Sequence, residues 1–152
     1  MRKKIIISLI LFIVLLVAIF IHEYEKKSKF YLDDKYYSSN EFISVEDLNE
    51  IEHDSYIMYT YGDFCAFSTP CEDIFKSFMD QYNISFIKMH YDNFKNTKYY
   101  KSVLYPPSVL IIKKGKLIAF LNAEDDNDIN KYQDPLEFKN WVDKYVYLDK
   151  NS

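Results

Sequence analysis

The stretch SVLIIKKGKLIAFL, from Ser108 to Leu121, narrows the possible folds more than any other part of the chain. Two apolar runs flank KKGK, with Gly115 at the turn, which is the pattern of a β-hairpin. Ahead of it the chain alternates in character. SYIMYTY, Ser55 to Tyr61, is an aromatic and apolar run suited to a buried strand. CEDIFKSFMDQYN then sets Ile74, Phe75, Phe78, Met79 and Tyr82 at helical spacing. ISFIKMHYD, Ile84 to Asp92, returns to strand character, and NTKYYKSVL offers a short helix. After the hairpin and a polar loop, PLEFKNWVDKYVYL carries Phe138, Trp141, Val142, Tyr145 and Val146 on one stripe, with Pro135 in its first turn. Upstream, FISVEDLNEI supplies Ser44 as an N-cap for a short helix, with Val45, Leu48 and Ile51 at helical spacing. Strands alternating with helices predict parallel pairing, and the terminal hairpin adds an antiparallel edge.

The other strong feature is IIISLILFIVLLVAIFI, Ile5 to Ile21, seventeen residues without a charge, Gly or Pro. At about 1.5 Å per residue such a helix nearly crosses a hydrocarbon layer of about 30 Å. The expectation is one transmembrane helix acting as an uncleaved signal anchor, because no small-residue cleavage pattern follows it. Three basic residues precede the run, while Glu23 and Glu25 lie among the lysines after it. Positive-inside logic then favours a single-pass protein of the cell membrane with its C-terminal body outside the cytoplasm. The expected organisation is a cytoplasmic N-terminus at 1–4, the anchor at 5–21, a stalk at 22–40 and one folded domain at 41–149. A net charge of -4 and the lack of any basic cluster in the body exclude a nucleic-acid face. Two cysteines, Cys65 and Cys71, allow one bridge in an oxidising compartment.

Three segments of the body resemble the thioredoxin-fold family. YIMYTYGDFC resembles that family's central strand and the loop to its first cysteine. The helix after Cys65 and the strand ISFIKMHYD resemble its active-site helix and the strand that follows. YPPSVLIIKKGK resembles the segment in which a cis proline faces the disulfide and opens the hairpin. The resemblance spans about Glu41 to Leu148. It implies an α/β fold, a thioredoxin-like three-layer sandwich whose mixed sheet ends in a C-terminal β-hairpin and helix. It makes Cys65 the attacking thiolate, Cys71 the resolving sulfur and Pro107 the cis proline, with Phe64, Pro106 and Ser108 as substrate contacts.

Two departures from the family pattern matter. The family places two residues between its cysteines, whereas AFSTP places five between Cys65 and Cys71. In a gapless alignment Ser68 takes the second position and Cys71 lies inside the helix. Cysteines six positions apart on one helix stand about 9 Å apart, beyond the roughly 7 Å that a disulfide spans. Alternatively Thr69 caps a later helix, with Pro70 at the first position and Glu72 completing a capping box, and CAFS forms a loop that folds Cys65 back. A redox couple, a structural disulfide and unpaired thiols all remain open on this reading. The second departure is Tyr59, which stands where many thioredoxins bury an acidic residue beneath the disulfide.

Asp126, Asp128, Asn130 and Glu137 occupy the first, third, fifth and twelfth places of a calcium-loop pattern, but Lys131 replaces the central Gly. A solvated acidic loop is the expectation, with no metal site and no cofactor. His22, His53 and His90 are scattered. The functional expectation is membrane-anchored, extracytoplasmic thiol-disulfide exchange on exported cysteine-containing proteins through the Cys-x5-Cys pair. It resembles, in size and anchoring, the thioredoxin-like accessory proteins of bacterial bacteriocin export. The alternative is a non-catalytic interaction domain with a structural disulfide, or a component of a membrane assembly.

Overall fold

The computed structural model describes residues 11–17, 28–63 and 70–150. Five strands form one mixed sheet: β1 (Phe42–Ser44), β2 (Tyr56–Tyr61), β3 (Phe86–His90), β4 (Ser108–Lys113) and β5 (Lys116–Asn122). Their spatial order is β1-β3-β2-β4-β5. β3 runs parallel to both β1 and β2, while β4 is antiparallel to β2 and to β5. The crossover from β2 to β3 is helix α1 (Cys71–Tyr82), so this half is the βαβ unit that the alternating pattern predicts. Short helices α2 (Tyr91–Phe94) and α3 (Asp126–Ile129) follow β3 and β5, and α4 (Pro135–Val142) closes the domain.

The central strands carry almost no polar residues because both of their faces are covered. β2 and β4 each expose only their last residue in part. On one face α1 and α4 meet through aromatic rings: Phe138 lies 4.9 Å from Phe75 and 5.2 Å from Phe78, and Phe86 of β3 lies within 6.2 Å of all three. The two-residue strand period turns Tyr56 to the opposite face, where its ring sits 5.9 Å from Tyr36. The turn between β4 and β5 uses Lys114 and Gly115, both at positive φ, 48° and 70°. That is the two-residue turn whose twist matches a hairpin. A Cβ on Gly115 would overlap the Glu52 carbonyl oxygen.

Several expectations are corrected. Residues 42–44 do not lead into a helix capped by Ser44; they pair with Phe86, Ile87 and Lys88, so the ladder takes the backbone groups a helix would need. Only a 3-10 turn, Asn49–Ile51, follows. NTKYYKSVL forms successive turns, closed by backbone hydrogen bonds from Tyr100 to Thr97 and from Ser102 and Val103 to Tyr99. Residues 28–40, read as a stalk, pack on the body. Phe30 exchanges backbone hydrogen bonds with Tyr145 and Tyr147, and Phe30, Leu32 and Tyr36 are buried.

The transmembrane helix is also corrected. The described part of that run, residues 11–17, is helical. Among the described residues no helix is long and apolar enough to cross a membrane. Residues 5–10 and 18–21 lie outside the described residues. The single-pass localisation, the outward-facing body and the membrane attachment all depended on that helix, and they fall with it.

The N-terminal segment is clipped to the start of β2 by Asp54, whose Oδ2 accepts from Tyr36 Oη at 3.0 Å and pairs with Lys35 Nζ at 2.6 Å. Burial pushes the Asp54 carboxyl up, but the hydrogen bonds from Lys35 and Tyr36 outweigh it and hold the carboxyl below its usual range. Asp33 moves the other way, raised first by burial and then by the neighbouring Asp54. A depressed carboxyl contributes stability above its ordinary pKa that is lost as pH falls through the folded value. Asp33 contributes with the opposite sign and tempers that loss. Replacing Asp54 by Asn is expected to cost about 1–3 kcal/mol at neutral pH and to flatten the loss of stability between roughly pH 5 and pH 3. Urea midpoints across that range check it. Gly115→Ala is expected to cost about 1–3 kcal/mol, read as a lower midpoint at unchanged m-value.

Candidate functional site

Helix α1 begins at Cys71, with Pro70 as its N-cap and no side-chain cap. Thr69 lies outside the described residues, and the expected capping box places Pro70 one position too far inside the helix. The apolar spacing that buries Ile74, Phe75 and Phe78 runs back to Cys71, which falls three and four residues before the first two. Cys71 is therefore on the buried face, with 1% of its surface exposed. Its Sγ lies 3.6 Å from Tyr59 Oη. The Tyr59 ring is wedged against Phe75 at 5.0 Å and Phe42 at 5.9 Å.

Antiparallel pairing brings the start of β4 to the same end of the sheet. Tyr59 stands opposite Val109 and Thr60 opposite Ser108. The Pro106–Pro107 peptide is cis. Pro107 and Ser108 are buried, while Leu104 and Tyr105 remain about half exposed at 46% and 48%. Ser108 Oγ donates to the Tyr105 carbonyl at 2.5 Å, and Tyr91 Oη donates to the Leu104 carbonyl. The end of β2 adjoins the loop too, since a Cβ on Gly62 would stand 3.3 Å from Pro106. A cleft of about 110 Å³ opens beside it, lined by Leu104, Tyr105, Ser108, Phe120 and Asn122 among others.

Two residues that sequence reasoning did not single out complete this end. Tyr132, from the 3-10 turn Asn130–Tyr132, is wholly buried and sends its hydroxyl to the carbonyls of Pro107 at 3.0 Å and Leu121 at 2.8 Å. Its phenol is pushed well above the usual range by burial, then by the charges of Asp128 and Cys71 nearby. The one available signal was that Tyr132 is the sole aromatic in the polar stretch 122–134. Lys88 of β3 is the other. Its ammonium lies over Tyr61 at 4.6 Å and Phe42 at 5.1 Å, and pairs with Glu72 at 2.9 Å. The Glu72 charge beside Cys71 is thus offset. Asp63, just past the end of β2, is 85% exposed and faces His90 at 3.5 Å.

Of the residues expected from sequence, Cys71, Pro106, Pro107 and Ser108 gather here, while Phe64, Cys65 and Ser68 lie outside the described residues. No disulfide occurs among the described residues, and five intervening residues leave no CxxC-like pair in the chain. The paired-cysteine expectation is corrected accordingly, both as an exchange couple and as a structural bridge. The acidic loop is occupied by its own bonds. Asp128 accepts from Asn122 N and pairs with Lys131, while Asp125 caps α3. Among the described residues no cluster of three or more His, Cys, Asp or Glu is placed to hold a metal.

Tyr59 separates ring packing from hydrogen bonding at the thiol. Tyr59→Phe is expected to cost about 0.5–1.5 kcal/mol, and Tyr59→Ala about 3–5 kcal/mol because the ring fills the space among Phe42, Phe75 and Cys71. Denaturant midpoints of the two variants check the ordering.

No family model and no curated protein matches the chain. Among solved structures it is similar to oxidised mitochondrial thioredoxin 3 from Saccharomyces cerevisiae, with 17% identity over 67% of this chain and 93% of that one, TM-score 0.48. It is similar also to thioredoxin from Trypanosoma brucei brucei, with 16% identity over 75% and 99% of the two chains, TM-score 0.44. A third is the reduced Schistosoma mansoni thioredoxin pre-protein, with 16% identity over 70% and 96%, TM-score 0.44. With TM-scores below 0.5, these likenesses carry no argument; the fold is read from the chain's own topology. The mixed sheet with its βαβ half, antiparallel hairpin and closing helix is a thioredoxin-like sandwich.

Proposed function

We propose that this domain is a thiol redox module in which the Cys71 thiolate attacks a substrate disulfide presented along the loop 104–108, forming a mixed disulfide and releasing one substrate thiol, after which a second thiol from the reductant frees Cys71. The observation that carries the reading is the placement of the Cys71 sulfur. It sits at the start of α1, 3.6 Å from the Tyr59 hydroxyl, at the sheet end where the Pro106–Pro107 loop packs. Lys88 offsets the Glu72 carboxylate directly next to Cys71 in the chain. Burial works against bulk reagents reaching the sulfur, so the natural reactant is a group held in place by the protein. The half-exposed Leu104 and Tyr105 give the loop an apolar surface of the kind that marks binding sites. Pro106, Pro107 and Ser108 shape it, and Phe64 and Cys65 are proposed to border it.

The test is reduction of insulin disulfides by dithiothreitol, with the full chain as catalyst. The wild-type chain is expected to accelerate reduction, and Cys71→Ala to remove at least about 99% of that acceleration, as loss of a covalent participant does. No acceleration by the wild type, or equal acceleration by Cys71→Ala, overturns the reading. Cys65→Ala measured in parallel reports whether the chain's second sulfur shares the chemistry.

A further inference from the structure

We infer that Tyr132 is a positioning residue for this site: its buried hydroxyl fixes the loop 104–108 at the height from which a docked peptide meets Cys71. The inference rests on the redox reading above. The hairpin ladder between β4 and β5 ends at the pair Ser108 and Asn122. Beyond it the chain runs into the proline-containing loop, which no strand partner holds. Tyr132 Oη reaches across this open end, to Pro107 O at 3.0 Å on the loop side and Leu121 O at 2.8 Å on the β5 side. A hydroxyl has one proton to donate, so the two buried carbonyls share it, and its loss leaves both short of a donor.

The ring of Tyr132 is fixed independently of the hydroxyl. It packs 6.1 Å from Phe75, one turn along α1 from Cys71, and none of it reaches solvent. Its height is therefore set by the same helix that carries the sulfur. The hydroxyl transmits that position to Pro107, which makes Tyr132 the link between the thiol and the loop. Ser108 provides the loop's second tie, through its bond to the Tyr105 carbonyl. The other nearby charged group, Asp128, is taken up by Asn122 N and Lys131 and does not hold the loop.

Tyr132→Phe keeps the ring and deletes the link. In the insulin assay it is expected to raise KM roughly five- to twentyfold, the equivalent of one lost buried hydrogen bond, with kcat changed less than about twofold. Lower thermal stability is expected in either case, so the split between KM and kcat is the reading: a purely structural role would leave KM unchanged in the folded variant. Ser108→Ala is the second variant, expected to raise KM in the same direction by roughly two- to fivefold, and it decides the matter should Tyr132→Phe fail to fold. If the wild type is active and both folded variants keep its KM, or kcat and KM change together, this inference alone is overturned. If the wild type does not accelerate reduction, the redox reading falls and takes this inference with it.

Discussion

Antiparallel pairing of β4 with β2 is the constraint on which the rest of this structure depends. In a fully parallel sheet the ends of β2 and the beginnings of its neighbours lie at opposite edges. Reversing β4 brings its entry loop to the carboxyl end of β2, where α1 begins. Tyr59 and Cys71, twelve residues apart, are thereby brought to the same end of the sheet as the Pro106–Pro107 loop, more than thirty residues further along the chain. The hairpin turn at Gly115 sets the length of β4 and so the height of that loop, and Tyr132 closes the hairpin's open end.

Beneath the site the packing is overwhelmingly aromatic. Phe75 contacts Tyr59, Phe86, Tyr132 and Phe138, so one side chain joins α1, the sheet, the loop after β5 and α4. Large flat rings bury much area for few frozen torsions, and tilted arrangements add to that. The consequence for the chemistry is that the sulfur meets phenols where a carboxylate would titrate. Tyr59 hydrogen-bonds Cys71 without bringing a charge into the core. The nearest cation, Lys88, is kept at the rim by the rings of Phe42 and Tyr61 and by Glu72.

Much of the fold was legible from periodicity. The runs around Ile57, Phe86 and Val109 are continuous and apolar because both faces of the central strands are covered, and Ile74, Phe75 and Phe78 mark the buried face of α1. What misled was short-range pattern without a long-range partner. Ser44 has the residue type of a helix cap, yet β3 offers residues 42–44 a ladder, and pairing prevailed. Residues 28–40 are polar and aperiodic, yet Phe30, Leu32 and Tyr36 reach the core singly, a pattern that no window detects. The apolar run near the N-terminus has the composition of a membrane span, but among the described residues no helix is long and apolar enough to cross a membrane.

At the site, sequence alone determined which residues could act. It marked Cys71 as lying in the first turn of an apolar-faced helix or inside it, Pro106, Pro107 and Ser108 as the entry to a hairpin, and Gly115 as the turn, because local spacing and backbone chemistry set each of these. Only the tertiary structure decided that they meet. Tyr132 illustrates the difference, since nothing within its own segment indicates that its hydroxyl closes the β4–β5 hairpin or that its ring lies against Phe75. The direction in which β4 enters the sheet depends on buried contacts summed over the whole core. No local window contains that sum.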